Sequence, residues 1–198
     1  MFRNWLGRTF LRLCGWRVDA ARPTEKKFVV IAAPHTSNWD AVFMLAGTYV
    51  IGIRFAWMGK HTLFKPPQGW LFSWLGGLPV DRRAPGGVVG SMIDRFARTD
   101  EFILAVPPEG TRGKTEYWKS GFYHIAEGAH VPICLGYLDY ANKVCGLGPM
   151  VMPSGDMRAD MDRIRAFYAD KRGKYPAKEG PARLREEEEG GAAAAPHG

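Results

Sequence analysis

Short apolar runs alternate in this chain with stretches whose apolar residues return every three to four positions. The two periods predict strands and helices in turn. Phe28–Ala33 reads as a buried strand and Asp40–Ile51 as the helix after it. Arg54–Met58 is a short strand, Gln68–Leu75 a helix rich in Trp and Phe, Leu78–Asp81 a short strand and Val88–Arg98 a helix. Glu101–Val106 is a strand that the pair Pro107-Pro108 stops. Lys119–Ala129 reads as helix, Val131–Tyr140 as strand, Lys143–Val151 as one further strand or two, and Asp156–Arg172 as an amphipathic helix. Strands alternating with helices predict an α/β fold: a single domain with a mostly parallel central sheet flanked by helices.

Both ends of the chain depart from this alternation. On a helix, Phe2, Trp5, Leu6, Phe10, Leu13 and Trp16 fall within an arc of roughly 140°, with Arg3, Arg8 and Arg12 at its edges or beyond. Aromatic rings flanked by arginines suit a helix lying in a membrane interface, and equally a helix packed on the domain. From Pro176 onward large apolar residues almost vanish, which predicts a disordered tail. The expected division is therefore an amphipathic membrane-interface helix over 1–20, one domain over 24–175 and a disordered tail over 176–198.

Charge narrows the partners. The net charge is +7, but Glu186–Glu189 conceal part of a basic body: residues 1–185 hold 27 Lys and Arg against 16 Asp and Glu, a net of +11. Such a body suits an acidic partner, whether nucleic acid, anionic lipid or a phosphorylated substrate. Three cysteines, Cys14, Cys134 and Cys145, fit neither a disulfide framework nor a zinc site and suit a reducing compartment. No apolar run is long enough to span a bilayer, and the arginines in the first seventeen residues exclude a signal peptide.

In an open α/β sheet, ligands bind beyond the carboxyl ends of the strands. Four chemistry-bearing segments follow predicted strands there. They are A-P-H-T-S-N-W-D (Ala33–Asp40), M-G-K-H-T-L-F-K (Met58–Lys65), G-G-L-P-V-D-R-R (Gly76–Arg83) and P-P-E-G-T-R (Pro107–Arg112). If the fold holds, a histidine, an aspartate and several arginines converge on one sheet edge.

H-T-S-N-W-D resembles the H-x-x-x-x-D signature of the glycerolipid (lysophosphatidate, or 1-acylglycerol-3-phosphate) acyltransferases. P-E-G-T-R matches that family's second diagnostic block, G-G-L-P-V-D-R resembles the block between them, and V-P-I (Val131–Ile133) the short fourth one. The four occur in the family's order over roughly Phe28–Tyr140. Pro34 departs from the pattern, since many members carry Asn before the histidine.

The resemblance implies an O-acyltransferase that moves a fatty acyl group from an acyl thioester, acyl-CoA or acyl carrier protein, to a hydroxyl of a lysophospholipid-like acceptor. A free alcohol is a poor nucleophile and needs a base. Imidazole, titrating near about 6.5, is largely neutral at pH 7 and can serve, at a gain of about 10²–10⁴-fold. His35 is the expected general base and Asp40 its orienter, as in a serine-hydrolase triad without the serine. The resemblance assigns Arg82, Glu109, Gly110, Thr111 and Arg112 to the acceptor's phosphate end. Arginine grips phosphate through its planar fork, whereas Glu109 is expected to orient an arginine or accept from a substrate hydroxyl. Lys60 and His61 are candidates to hold the acidic donor, and Trp57, Phe64, Trp70, Phe72 and Trp74 to line an acyl groove. His124 and His130 are read as structural. No bound cofactor and no metal site are expected. The expected location is peripheral, on the cytoplasmic face of a membrane. Alternatives are an acyl thioesterase and a non-catalytic basic protein that binds lipid or nucleic acid, although no nucleic-acid recognition motif is present. Acceptor head group, chain length and oligomeric state are not encoded in any motif.

Overall fold

A computed structural model of the chain describes residues 2–80 and 87–188. Seven strands form one sheet: β1 (Arg17–Asp19), β2 (Lys27–Ala33), β3 (Ala56–Lys60), β4 (Gly77–Val80), β5 (Phe102–Val106), β6 (Ile133–Asp139) and β7 (Val144–Val151). Their order is β1-β7-β6-β2-β5-β3-β4. The five strands from β6 to β4 run parallel; β7 is antiparallel to β6, and β1 is parallel to β7. The expected α/β sheet is therefore present, with two reversed strands at one edge. A three-residue edge strand carries no apolar run, which is why β1 was invisible as a pattern.

Six helices complete the described fold: α1 (Phe2–Leu13), α2 (Trp39–Ile51), α3 (Gly69–Trp74), α4 (Gly87–Arg98), α5 (Gly121–Gly128) and α6 (Met157–Tyr168). Alternation along β2 sorts them onto two faces. Val29, Ile31 and Ala33 pack with Met92 and Phe96 of α4, Phe122 and Ile125 of α5, and Met161 and Ile164 of α6. Phe28 and Val30 face the other way, the side on which α1 and α2 lie against Leu138 and Cys145. Burial on both faces explains why β2 is a continuous apolar run rather than an alternating one. Cys134 and Cys145 are buried there with thiols pushed up to about 12 and about 11 by desolvation, so both serve as small apolar fillers.

The N-terminal helix ends earlier than its apolar arc suggests. Gly15 adopts φ +72, Trp16 N–H returns to Leu11 O at 2.8 Å and Gly15 N–H to Arg12 O at 2.9 Å. This is a Schellman cap, closed by the contact between Trp16 and Leu11 in one apolar cluster. Residues 14–20, expected within the helix, instead form this cap and β1. Gly7 and Leu11 face α2, so closely that a Cβ at Gly7 would lie 2.6 Å from Ala46 O. Phe2, Trp5, Leu6 and Leu13 stay exposed. Arg3 lies 5.1 Å from the Trp74 ring and 5.5 Å from that of Tyr49, joining α1 to α3 and α2. One side of the helix thus packs on protein, as one of its two readings expects, and the other presents bare rings.

The expectation of a disordered tail from Pro176 is corrected for the described part. Residues 176–188 lie on the domain. Leu184 is fully buried, and it pairs with Trp118 in a parallel bridge. Three of the glutamates in the expected tail are occupied: Glu186 by Ser120, Glu187 by Arg165 and Glu188 by Tyr117. Composition missed this because one leucine and a few ion pairs anchor the segment. Residues 189–198 lie outside the described part. Just before it, Arg172–Tyr175 crosses behind the loop after β2. Tyr175 N–H donates to Thr36 Oγ1 at 3.1 Å, and Arg172 O accepts Tyr140 N–H at 2.8 Å. A Cβ at Gly173 would lie 2.8 Å from Thr36 Oγ1, so the crossing is close.

Candidate active site

Parallel strands end at a common edge, and the loops after β2, β3, β5 and β6 meet there. His35 follows β2 by two residues, and Asp40 lies in the first turn of α2. The carboxylate is 3% exposed, accepts three hydrogen bonds and faces the His35 ring. Its Oδ2 accepts the Thr36 and Ser37 N–H groups, both at 2.8 Å, and lies 3.2 Å from His35 Nδ1. Its Oδ1 accepts the Tyr140 hydroxyl at 2.7 Å. The loop can turn this tightly because the carboxylate caps its amides at the start of a helix, where negative charge is favoured. Burial alone would push Asp40 up; hydrogen bonds from His35, Tyr140 and Ser37 outweigh it and hold the carboxyl below its ordinary value. An ionised Asp40 carboxylate is thus set 3.2 Å from the Nδ1 of the His35 ring.

The turn after β5 supplies the second block. Gly110 takes φ +66, and its N–H returns to Pro107 O at 3.2 Å. Glu109 is 7% exposed, and among the described residues its carboxylate meets no arginine. Its Oε1 accepts the His35 backbone N–H at 2.9 Å, and its Oε2 is buried without a partner among the described residues. Desolvation pushes its carboxyl up, only partly countered by the hydrogen bond from His35. Arg112 is exposed and donates to Asn38 Oδ1, which brings the two blocks together a second time.

A cavity of about 840 Å³ runs from between α2 and the sheet past the strand ends to Val88 and Val89 of α4 and Phe122 and Ile125 of α5. It exists because the strands show small side chains to α2 here: Ala32, Ala105 and Gly136. Its wall is mainly apolar, with Met44, Leu45 and Ile51 supplied by α2. At the strand ends it carries His35, Asp40, Lys60, Gly110 and Arg112. That size and lining suit a long apolar ligand gripped by a few polar groups at one end.

Not every expected residue joins this wall. Thr111 is exposed and turns its hydroxyl to Gly113 N–H at 3.2 Å. His61 lies in the short 3₁₀ turn after β3, exposed and off the wall. Arg82 lies outside the described residues. Trp57 and Phe72 line the cavity, whereas Trp70 and Trp74 are surface rings and Phe64 packs on Trp57 and Phe72 instead. His124 pairs with Glu127 on the surface of α5. Two wall or support residues were missed. Lys119 reaches the wall because Gly110 has no side chain: a Cβ there would lie 3.2 Å from Lys119 Cγ. Tyr140 was legible only as the end of a strand beside β2. Among the described residues no group of three His, Cys, Asp or Glu is placed to hold a metal.

The sequence model of the Acyltransferase family matches residues 17–135. Two curated proteins named 1-acyl-sn-glycerol-3-phosphate acyltransferase, from Limnanthes douglasii and Limnanthes alba, are each 29% identical to the chain, over 124 and 123 residues. The matched segment is 59% of this chain and 42% of each of theirs. The fold is similar to the crystal structure of the 1-acyl-sn-glycerophosphate (LPA) acyltransferase PlsC from Thermotoga maritima. The TM-score is 0.58 at 18% identity, over 85% of this chain and 77% of that one.

Proposed function

From the premise that the chain belongs to the acyltransferase family, we propose that it moves a fatty acyl group from an acyl thioester to a hydroxyl of a lysophospholipid-like acceptor. One observation carries the reading: the His35–Asp40 pair and Arg112 share the wall of one mainly apolar cavity. The acyl chain occupies the space beneath α2, with its thioester carbonyl at His35. The acceptor hydroxyl gives its proton to His35 Nε2 as its oxygen attacks that carbonyl. Asp40 holds the Nδ1 proton and steadies the imidazolium that forms. The carbon–sulfur bond then breaks, and the imidazolium returns the proton to the departing thiolate. A thiol of pKa about 8.5 leaves readily.

Arg112 holds the acceptor's phosphate end, assisted by Arg82 and the Gly110–Thr111 backbone, and Lys119 adds a cation at the same wall. Lys60, with His61 beside it, receives the anionic donor, acyl-CoA or acyl carrier protein. No metal or bound cofactor takes part in this scheme. Supply of the lyso-lipid acceptor from a bilayer suits the bare rings of α1 and α3, so the protein works peripherally, at the cytoplasmic face of a membrane. No helix among the described residues is long and apolar enough to cross one.

The test is thiol release from a panel of acyl-CoA and acyl carrier protein donors with lyso-lipid acceptors, with products identified by mass spectrometry. His35→Ala should lower transfer by about 10²–10⁴-fold with its thermal unfolding unchanged. Near wild-type turnover by that variant removes the proposed base, and acceptor-independent release of free acid would replace transfer with thioester hydrolysis.

A further inference from the structure

Asp40 is held at both of its oxygens, and the holders differ in origin. The three donors on or near Oδ2, the amides of Thr36 and Ser37 and the ring of His35, belong to one short loop. The donor on Oδ1, the Tyr140 phenol at 2.7 Å, comes from the end of the neighbouring strand β6. Tyr140 is fixed from several directions. Its ring meets Trp16 edge-on at 4.8 Å and Phe43 at 5.8 Å, its N–H is bound by Arg172, and the Lys174 ammonium lies 5.8 Å from its ring centre. It also lies beyond the segment that the family's sequence model matches.

A carboxylate rotates easily about its Cβ–Cγ bond, because that torsion has no sharp minima. Loop donors alone would let the carboxylate and its loop move as one body. A phenol anchored in the sheet's own packing references the carboxylate to the scaffold. We propose that Tyr140 is a positioning residue, whose phenol pins Asp40 Oδ1 so that Oδ2 stays facing His35 Nδ1. The kinetic consequence rests on the acyl-transfer reading above; the structural one does not.

The charge balance agrees. The Tyr140 hydrogen bond is one of those that hold Asp40 below its ordinary value against burial, and the phenol is itself pushed up, by burial first and by Asp40 next. The other groups that face the pair are Glu109, Arg112 on the cavity wall, and Lys174 and Tyr175 from the crossing segment. None of these donates to Oδ1. Without the phenol, the ionised carboxylate loses a donor and titrates at higher pH.

The experiment compares Tyr140→Phe with Trp16→Phe, which disturbs the same ring cluster without touching Asp40. The first readout is the ¹⁵N spectrum of the His35 ring at neutral pH, which reports the Nδ1–H tautomer and needs no substrate. The second is kcat and KM for thiol release across pH. Tyr140→Phe should lose part of the Nδ1–H signal and lower kcat roughly ten-fold, the scale of one hydrogen bond to a charged group. KM should stay within about two-fold, and the acid limb should move to higher pH. Trp16→Phe should lower the melting temperature and leave the ring spectrum as in the wild type. A wild-type ring spectrum in Tyr140→Phe overturns the proposal, as does the same spectral change in Trp16→Phe. If the wild type turns over no acyl thioester, the acyl-transfer reading fails, and the ring spectra alone still decide this one.

Discussion

One carboxylate oxygen of Glu109 accepts the backbone N–H of His35 at 2.9 Å, across 74 positions of sequence. The H-x-x-x-x-D and P-E-G-T-R blocks are therefore one mechanical unit. Glu109 contributes by setting where the loop after β2 leaves the sheet, and Arg112 closes the same junction through Asn38.

Glu109 binds its proton more tightly in the folded protein than in the unfolded chain, because burial dominates. Its ionisation therefore costs stability as pH rises above the ordinary value of 4.5 toward the raised folded value. Glu109→Gln keeps an acceptor for His35 N–H and cannot ionise. At neutral pH it should melt a few degrees above the wild type, with the gap closing near pH 4. Thermal unfolding across that range checks the sign; a lower melting point at pH 7 would contradict it.

Asp40 works in the opposite direction. Its folded value is lowered, so its contribution is present above the ordinary 3.8 and is lost as pH falls through the folded value. Asp40→Asn should reduce kcat by about 10³–10⁴-fold, since the amide cannot accept from the loop, the phenol and the ring together. Its stability deficit should shrink as pH falls below 3.8. Steady-state kinetics and acid-range melting curves measure the two effects separately.

The contact between α1 and α2 depends on a missing side chain. A Cβ at Gly7 would sit 2.6 Å from a backbone oxygen, and backbone cannot step aside cheaply. Gly7→Ala should cost about 1–3 kcal/mol despite the better helix propensity of alanine. Denaturant titration gives the number, and a stabilised variant would mean that the helices do not pack this closely.

The exposed rings make a claim about surfaces. Trp5 is 61% exposed and Trp70 73%, on helices joined through Arg3 and Trp74. Replacing both by serine should leave the melting point nearly unchanged. Sedimentation with anionic vesicles should show binding weakened at least ten-fold, since burying an aromatic side chain is worth about 1.5–3 kcal/mol. Equal sedimentation of variant and wild type would rule out these rings as the lipid contact.

Strands buried on two faces were the most readable part of the chain. Phe28–Ala33 and Glu101–Val106 nearly coincide with β2 and β5, because continuous apolar runs need no knowledge of their neighbours. That His35, Asp40 and Arg112 sit at one edge of the sheet was legible for a related reason: the segments that carry them follow such runs directly. Features fixed by a distant partner were not. Leu184 is one apolar residue in a polar stretch, and only Trp118, far back in the chain, makes it core. Glu109, expected to orient an arginine or accept from a substrate hydroxyl, also accepts the His35 amide, a contact that no spacing announces. The end of α1 differs from its apolar arc for a local reason. Gly15 and Trp16 spell a Schellman cap, but the apolar arc was extended through them.

The crossing of Arg172–Tyr175 behind Thr36 bears on how natural variation in this protein should be judged. A substitution at Tyr140, Gly173 or Tyr175 falls past residue 135, where the family's shared blocks have already ended, and a score built on those blocks would treat it as peripheral. Yet these positions touch the loop that carries the imidazole, or the carboxylate beside it. Variants there belong in the same class of concern as changes within the signature itself.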